Sequence, residues 1–272
     1  MDVLDRALLV EAVSGCGGVV HLAAVSRVLW GERDPALCWR TNVEGTRNVL
    51  QAAAQSPERP WVLFASSREV YGQAPALPVA DDAPLAPVNI YGRSKTAAEA
   101  LCLSARGAGQ QLAIARLSNV YGSTRDHADR VVPCFAARAA KGLPIRVEGR
   151  EHTFDFTHVT DTVRGLRAMI RLLSGGERAL PPLHLLTGVP TTLGELADLA
   201  RAAALGRSPI VEAPPRSFDV ARFYGDPRRA QELLEFSAQV SVREGVLRLV
   251  NEFSRECQPA QSLCSVEGGA PQ

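Results

Sequence analysis

The chain has 272 residues, 46% of them hydrophobic, and its 30 Lys and Arg against 29 Asp and Glu give a formal charge of +1. A chain of this length can bury a substantial core, and its balanced charge sets up no global field for nucleic acid or an anionic membrane, so an anionic ligand must be held by a local site. No apolar run approaches the roughly 20 residues needed to span a bilayer, and the opening MDVLDRALLVEAV is acidic and amphipathic rather than signal-like; a soluble, cytoplasmic protein is expected.

In chain order, a helix is predicted near 4–14, followed by a glycine turn (G-C-G-G, 15–18) and a strand, GGVVHLAA, at 17–24. A second helix near 36–55 leads to the strand WVLFASS (61–67), and a third near 89–107 leads to QLAIARLS (111–118). Strands apolar on both faces and separated by helices predict an α/β fold with a doubly wound parallel sheet. After about residue 120 Pro and Gly become more frequent, with short strands near 144–148 and 183–187 and helices near 158–173, 192–204 and 241–254. Residues 1–120 are therefore read as a partial dinucleotide-binding, Rossmann-like domain. Residues 121–255 are read mainly as a smaller α/β substrate lobe, some segments of which can return to the sheet. The tail 256–272 lacks apolar periodicity and is expected to be disordered.

Six cysteines without C-x-x-C spacing (Cys16, Cys38, Cys102, Cys134, Cys257, Cys264) are read as free thiols of a reducing compartment. His152 and His158 flank F-D-F, and His21 and His184 sit in apolar strands; with no cysteine or carboxylate cluster at ligand spacing, no metal site is expected.

The chemistry concentrates in Y-G-R-S-K, which puts Tyr91 and Lys95 one helical turn apart on one face. A phenol titrates near ~10, and a neighbouring ammonium is expected to lower that value so that Tyr91 can exchange a proton with a hydroxyl. The spacing alone also fits an ordinary surface pair. Upstream, F-A-S-S-R-E-V-Y-G ends a buried strand in hydroxyls, at the sheet edge where such folds bind ligands. Ser67 there reads equally as a strand-end cap.

Taken in order, H-L-A-A, T-N-V-E-G-T, S-S-x-E-V-Y-G and Y-x-x-x-K resemble the extended short-chain dehydrogenase/reductase family, in particular its sugar-nucleotide epimerases and dehydratases, from Asp2 to about Phe253. The resemblance implies Ser67, Tyr91 and Lys95 as the catalytic set, with Lys95 on the nicotinamide ribose. It implies NAD, rather than NADP, held by Asp2, Val3, Leu22, Ala23, Ala24, Asn42, Tyr91 and Lys95. It implies a nucleoside-diphosphate sugar held by Ser67, Glu69, Asn119, Val131, Phe156, Arg216 and Asp219, with arginine suited to the diphosphate. It also implies a homodimer whose helices near 36–55 and 89–107 form a four-helix bundle.

Three departures stand beside it. The family's G-x-x-G-x-x-G turn, which cradles a pyrophosphate at a helix start, is not found; by the family's layout about 55 residues with two βα units would precede Asp2, so the sheet is expected to be incomplete on that side. Arg68 stands where dehydratases carry an aspartate, which disfavours loss of water. Phe154 stands where many relatives carry a diphosphate-binding arginine. The expected activity is an NAD-dependent epimerase, most simply a 4-epimerase. Alternatives are a reductase, decarboxylase or dehydratase of the same family, or a non-catalytic remnant that binds a nucleotide sugar or a protein partner.

Overall fold

The computed structural model describes residues 2–178, 180–215 and 220–256. The chain runs α1 (Arg6–Val13), β1 (Gly18–His21), α2 (Val28–Arg33), α3 (Pro35–Trp39), a π-helical turn (Arg40–Glu44), α4 (Gly45–Gln55), β2 (Trp61–Ser67), a short 3₁₀ turn (Arg68–Val70), α5 (Ile90–Gly107), β3 (Leu112–Leu117), β4 (Asn119–Tyr121) and α6 (Val131–Ala140). It continues with β5 (Ile145–Glu148), β6 (Thr153–Phe154), β7 (Phe156–His158), α7 (Val159–Ser174), β8 (Leu183–Leu185), β9 (Thr191–Thr192), α8 (Leu193–Ala203), β10 (Ile210–Ala213), β11 (Arg222–Phe223), α9 (Arg228–Leu234) and α10 (Val242–Glu256).

The main sheet is parallel, in the order β1-β2-β3-β8. Both faces of its central strands are covered, which is why they carry continuous apolar runs. Val62, Phe64, Leu112 and Ile114 pack against α4 and α5, while Leu63, Ala113 and Ala115 pack against α7 and α9. Burial of residues such as Val62, Leu63 and Phe64, at most 1% exposed, contributes about 1.5–3 kcal/mol each. Gly18 opens β1 because a Cβ there would lie 2.0 Å from the Trp61 indole of β2.

A second core lies beside the strand ends, where α6, α8 and α10 pack around Ile145, Val147, Phe156 and Phe223. It is stitched by small pairings: β5 with β10, β4 with β7, and β6 between β9 and β11. The strand predicted at 183–187 joins the main sheet as β8, with Leu183–Leu185 opposite Ala115–Leu117.

The predicted helix at 36–55 is interrupted by the π-helical turn, and the extra residue rotates Asn42 inward. Its side chain accepts from Val25 N at 2.8 Å and donates to Val25 O at 3.0 Å and Ser94 Oγ at 2.9 Å. The Asn42 carbonyl accepts from Thr46 Oγ1, one turn later, at 2.6 Å. A π-bulge of this kind often marks a functional region; here it fastens the segment after β1 to α5.

Helices α2 and α6 are absent from the sequence reading. Residues 257–272, with Cys257, Cys264 and the expected disordered tail, lie outside the described residues, as do Arg216 and Asp219. Among the described residues Cys16, Cys38, Cys102 and Cys134 are free thiols, no helix is long and apolar enough to cross a membrane, and no cluster of metal-ligating side chains occurs.

Candidate active site

A cleft of about 830 Å³ opens at the carboxyl ends of the parallel strands, between the sheet and the second core. Its floor is the end of β2, where the backbone leaves the sheet and Ser67 caps the 3₁₀ turn by accepting from Glu69 N at 3.2 Å. The helix that supplies the other two predicted catalytic residues is fixed at its first turn. Asn89 accepts from Gly92 N at 2.7 Å, and Glu32 of α2 accepts from Ile90 N at 2.8 Å. Gly92 permits the close approach of α5 to the turn after β2, since a Cβ there would lie 2.5 Å from the Glu69 carbonyl oxygen.

This packing brings Ser67, Tyr91 and Lys95 to one wall of the cleft. The Ser67 hydroxyl that caps the turn also lies near the Tyr91 phenol, close enough to favour its ionised form. Lys95 is 3% exposed, donates from Nζ to Ala65 O at 2.8 Å, and lies 4.8 Å from the Phe64 ring centre. Burial lowers the Lys95 ammonium to about 8 and raises the Tyr91 phenol to about 12. The expectation that Lys95 would pull Tyr91 down is therefore not met. Loss of hydration outweighs the nearby Ser67 hydroxyl, and Glu69 raises the phenol further. At neutral pH the resting pair is a phenol beside an ammonium.

Other predicted residues divide between cleft and scaffold. Leu22, Ala24, Glu69, Asn119 and Val131 line the cleft; Ala23 is exposed beside it. Asn42 is buried in the anchor described above. Asp2 accepts from Leu4 N at 2.9 Å, and Val3 packs with Leu9, Val13 and Val49 away from the cleft. Phe156 is 0% exposed in the second core and cannot reach a ligand; its neighbour Phe154, two residues earlier on β6, is the aromatic side chain in the wall. The chain breaks between β6 and β7 at Asp155, and the two strands join different sheets, β6 pairing with β9 and β11 and β7 with β4, so the two rings have different surroundings. His158 caps α7 through Thr160 and sits edge-on to Tyr121.

Glu69 is clamped. Its Oε1 pairs with Arg68 Nη2 at 2.8 Å and its Oε2 accepts from Asn89 Nδ2 at 2.8 Å. A clasp in the cleft lining joins distant segments: Arg27 reaches both carboxylate oxygens of Asp129, at 2.5 and 3.0 Å, and Trp30 packs edge-on against His127. No motif around R-V-L-W announces this clasp, because its partner lies 102 residues away.

The model of the NAD dependent epimerase/dehydratase family matches residues 1–179. The chain is 32% identical over 246 residues to UDP-glucose 4-epimerase of Mycolicibacterium smegmatis, covering 88% of this chain and 77% of that enzyme. It is 30% identical over 248 residues to UDP-glucuronic acid decarboxylase 1 of Danio rerio, covering 88% of this chain but 58% of that protein. Its fold superposes on the UDP-glucose 4-epimerase of Thermotoga maritima, solved with UDP-glucose, with a TM-score of 0.88 at 25% identity, covering 95% of this chain and 84% of that one.

The lowered Lys95 value sets a pH dependence. Between pH 8 and 10.5 the folded chain binds fewer protons at this group than the unfolded chain, so its penalty is full below pH 8 and is relieved as pH rises through that window. Lys95→Met removes the penalty. Urea unfolding is expected to show wild type gaining on Lys95→Met by on the order of 1 kcal/mol per pH unit across the window; a constant difference would contradict the assignment.

Proposed function

Because the chain belongs to the NAD dependent epimerase/dehydratase family, we propose that it is an NAD-dependent epimerase of a nucleoside-diphosphate sugar, acting at carbon 4. The observation that carries this reading is that Ser67, Tyr91 and the buried Lys95 line one cleft at the strand ends of a parallel sheet. The residues fit the nicotinamide end of the cofactor. Ala24 leaves room in the cleft wall, and the Lys95 ammonium, whose hydrogen bond among the described residues goes to Ala65 O, has hydrogens left for ribose hydroxyls. NAD, when bound, takes up a hydride from the sugar carbon and returns it.

The chain's own part is to hold the sugar hydroxyl and move its proton. Ser67 donates to or accepts from that hydroxyl, and Tyr91 exchanges the proton with it. To accept that proton Tyr91 must stand as the phenolate, so oxidation draws on the deprotonated Tyr91 that burial keeps scarce, and the phenol so formed gives the proton back when the keto sugar is reduced. Lys95 supplies the positive charge that favours the shift. Asn119 serves the diphosphate, Val131 lies against the nucleotide base and, from the sequence resemblance, Arg216 and Asp219 hold the diphosphate and the nucleotide ribose; Asp2, Val3, Leu22, Ala23 and Asn42 shape the cofactor side, Val3 and Asn42 from within the scaffold.

The clamp on Glu69 favours epimerisation or simple reduction over elimination of water. Dehydration needs an acid free to deliver a proton, and both Glu69 oxygens are engaged. A reductase of the same family would release its keto or hydroxy product and consume cofactor, whereas the epimerase keeps its cofactor through turnover. Two copies pair through α3, α4 and α5, where Leu37, Trp39 and Leu103 stand exposed, and the enzyme works in the cytoplasm with its cysteines reduced.

Tyr91→Phe is expected to lower kcat for sugar-nucleotide epimerisation by about 100-fold or more with little change in thermal unfolding; an undiminished rate would sink the mechanism. Sedimentation is expected to give twice the chain mass, and a single-chain mass would overturn the dimer.

A further inference from the structure

Arg68 has no part in the chemistry above, yet it is held more tightly than a loop arginine needs to be. Its guanidinium carbon lies 4.7 Å from the ring centre of Phe154 and 5.6 Å from that of Phe223, and its side chain is 12% exposed. One amine, Nη2, pairs with Glu69 at 2.8 Å. The other, Nη1, is buried without a hydrogen-bond partner. An orphaned cationic N–H is destabilising, and a ligand acceptor that reaches it removes the penalty on binding.

Three features say what acceptor fits. Arg68 lines the cleft directly after Ser67, so its neighbourhood is the reacting sugar rather than the nucleotide. A planar fork stacked on aromatic faces loses little freedom on binding, and it matches a carboxylate through charge-assisted hydrogen bonds better than it matches a neutral hydroxyl. Charge points the same way. The cleft wall carries six Arg and Lys side chains against three carboxylates, an excess that a diphosphate diester only partly neutralises. Glu69 engages Nη2 alone, with its second oxygen held by Asn89, which leaves Nη1 for another acceptor, since a guanidinium can serve two carboxylates from its separate amines.

We propose that Arg68 makes the enzyme select a nucleoside-diphosphate hexuronic acid over the neutral hexose nucleotide, its Nη1 receiving the carboxylate carried on the sugar ring. Phe154 and Phe223 position the guanidinium, and Glu69 keeps it from swinging away. The inference rests on the nucleotide-sugar reading of the cleft and adds the class of sugar.

Calorimetric titration of the full chain, with NAD supplied, by UDP-glucuronic acid and separately by UDP-glucose tests it. Wild type is expected to bind the uronate at least about tenfold more tightly, the scale of one charge-assisted contact. In Arg68→Met, which keeps an apolar stem between the two rings, the ratio between the ligands is expected to fall to within about threefold. Arg68→Lys, which keeps the charge and loses the fork, should give an intermediate ratio. Equal affinities in wild type, or a preference that survives in folded Arg68→Met, would overturn the proposal while leaving the nucleotide-sugar reading intact. The wild-type comparison decides the matter even if the variants do not fold. Failure of wild type to bind either UDP-sugar would reject that reading, and this inference with it.

Discussion

The buried ion pair between Glu99 of α5 and Arg116 of β3 is the constraint on which the geometry of the cleft depends. The two side chains are 1% and 5% exposed and meet at 2.6 and 2.9 Å. Removing two charges from water is costly, and such a pair is tolerated only when its remaining hydrogen-bonding capacity is filled. Here it is filled by the elements that build the site. Ser66 at the end of β2 donates to Glu99 at 2.5 Å, and Arg116 donates to Tyr71 Oη at 2.7 Å and to Asp81 O. Tyr71 continues the chain of contacts to His184 of β8 at 2.7 Å, and Asp81 accepts from the His184 backbone at 2.6 Å. One network therefore joins β2, β3, β8, α5 and the segment after the 3₁₀ turn. Ser67 follows Ser66 directly, and Lys95 precedes Glu99 by one helical turn, so the separation between the reacting hydroxyl and the helix that carries Tyr91 and Lys95 is held by buried charge rather than by loop contacts. Positional control of this kind is what a proton-transfer site requires.

The same dryness that strengthens the network sets the character of the site. Burial moves Tyr91 up and Lys95 down, and holds His21 at about 4, a neutral imidazole beside Thr46. Asp155, completely buried below the cleft, rises to about 6 even though it accepts hydrogen bonds from Thr187 and Gly188. Its bonds tie the segment after β8 to the join between β6 and β7, which aims Phe154 at Arg68. The cleft thus has two kinds of wall: one of buried hydroxyls, a phenol and the Lys95 ammonium, and one of fixed guanidinium–carboxylate pairs.

How much of this was legible in the sequence depended on whether the signal was local. β2 coincides with the predicted WVLFASS because a strand covered on both faces must be apolar throughout, and α7, α8 and α10 follow the expected helical pattern. Helix α2 was hidden because V-L-W-G-E-R is one short turn interrupted by Gly31, and α6 because Val131–Ala140 is so apolar, with a proline in its first turn, that helical periodicity is blurred. The meeting of Ser67, Tyr91 and Lys95 in one cleft was legible as spacing, but their titration was not: spacing places an ammonium near a phenol and says nothing of how dry both are. Phe156 and Phe154 were exchanged for a similar reason, since both are apolar and only the break at Asp155, which sends β6 and β7 to different sheets, decides which one faces the cleft. The return of Leu183–Leu185 to the main sheet and the Arg27–Asp129 clasp join residues far apart in the chain, beyond the reach of any local pattern.

The central claim is that hydrogen leaves and returns to one sugar carbon while Tyr91 handles only the hydroxyl proton. The most direct measurement is turnover, with NAD supplied, of a UDP-sugar carrying deuterium at carbon 4, read by mass spectrometry and proton NMR. The account predicts an inverted carbon that keeps its deuterium, because the hydride never meets water. Loss of the label to solvent, or no inversion with the cofactor present, would contradict it.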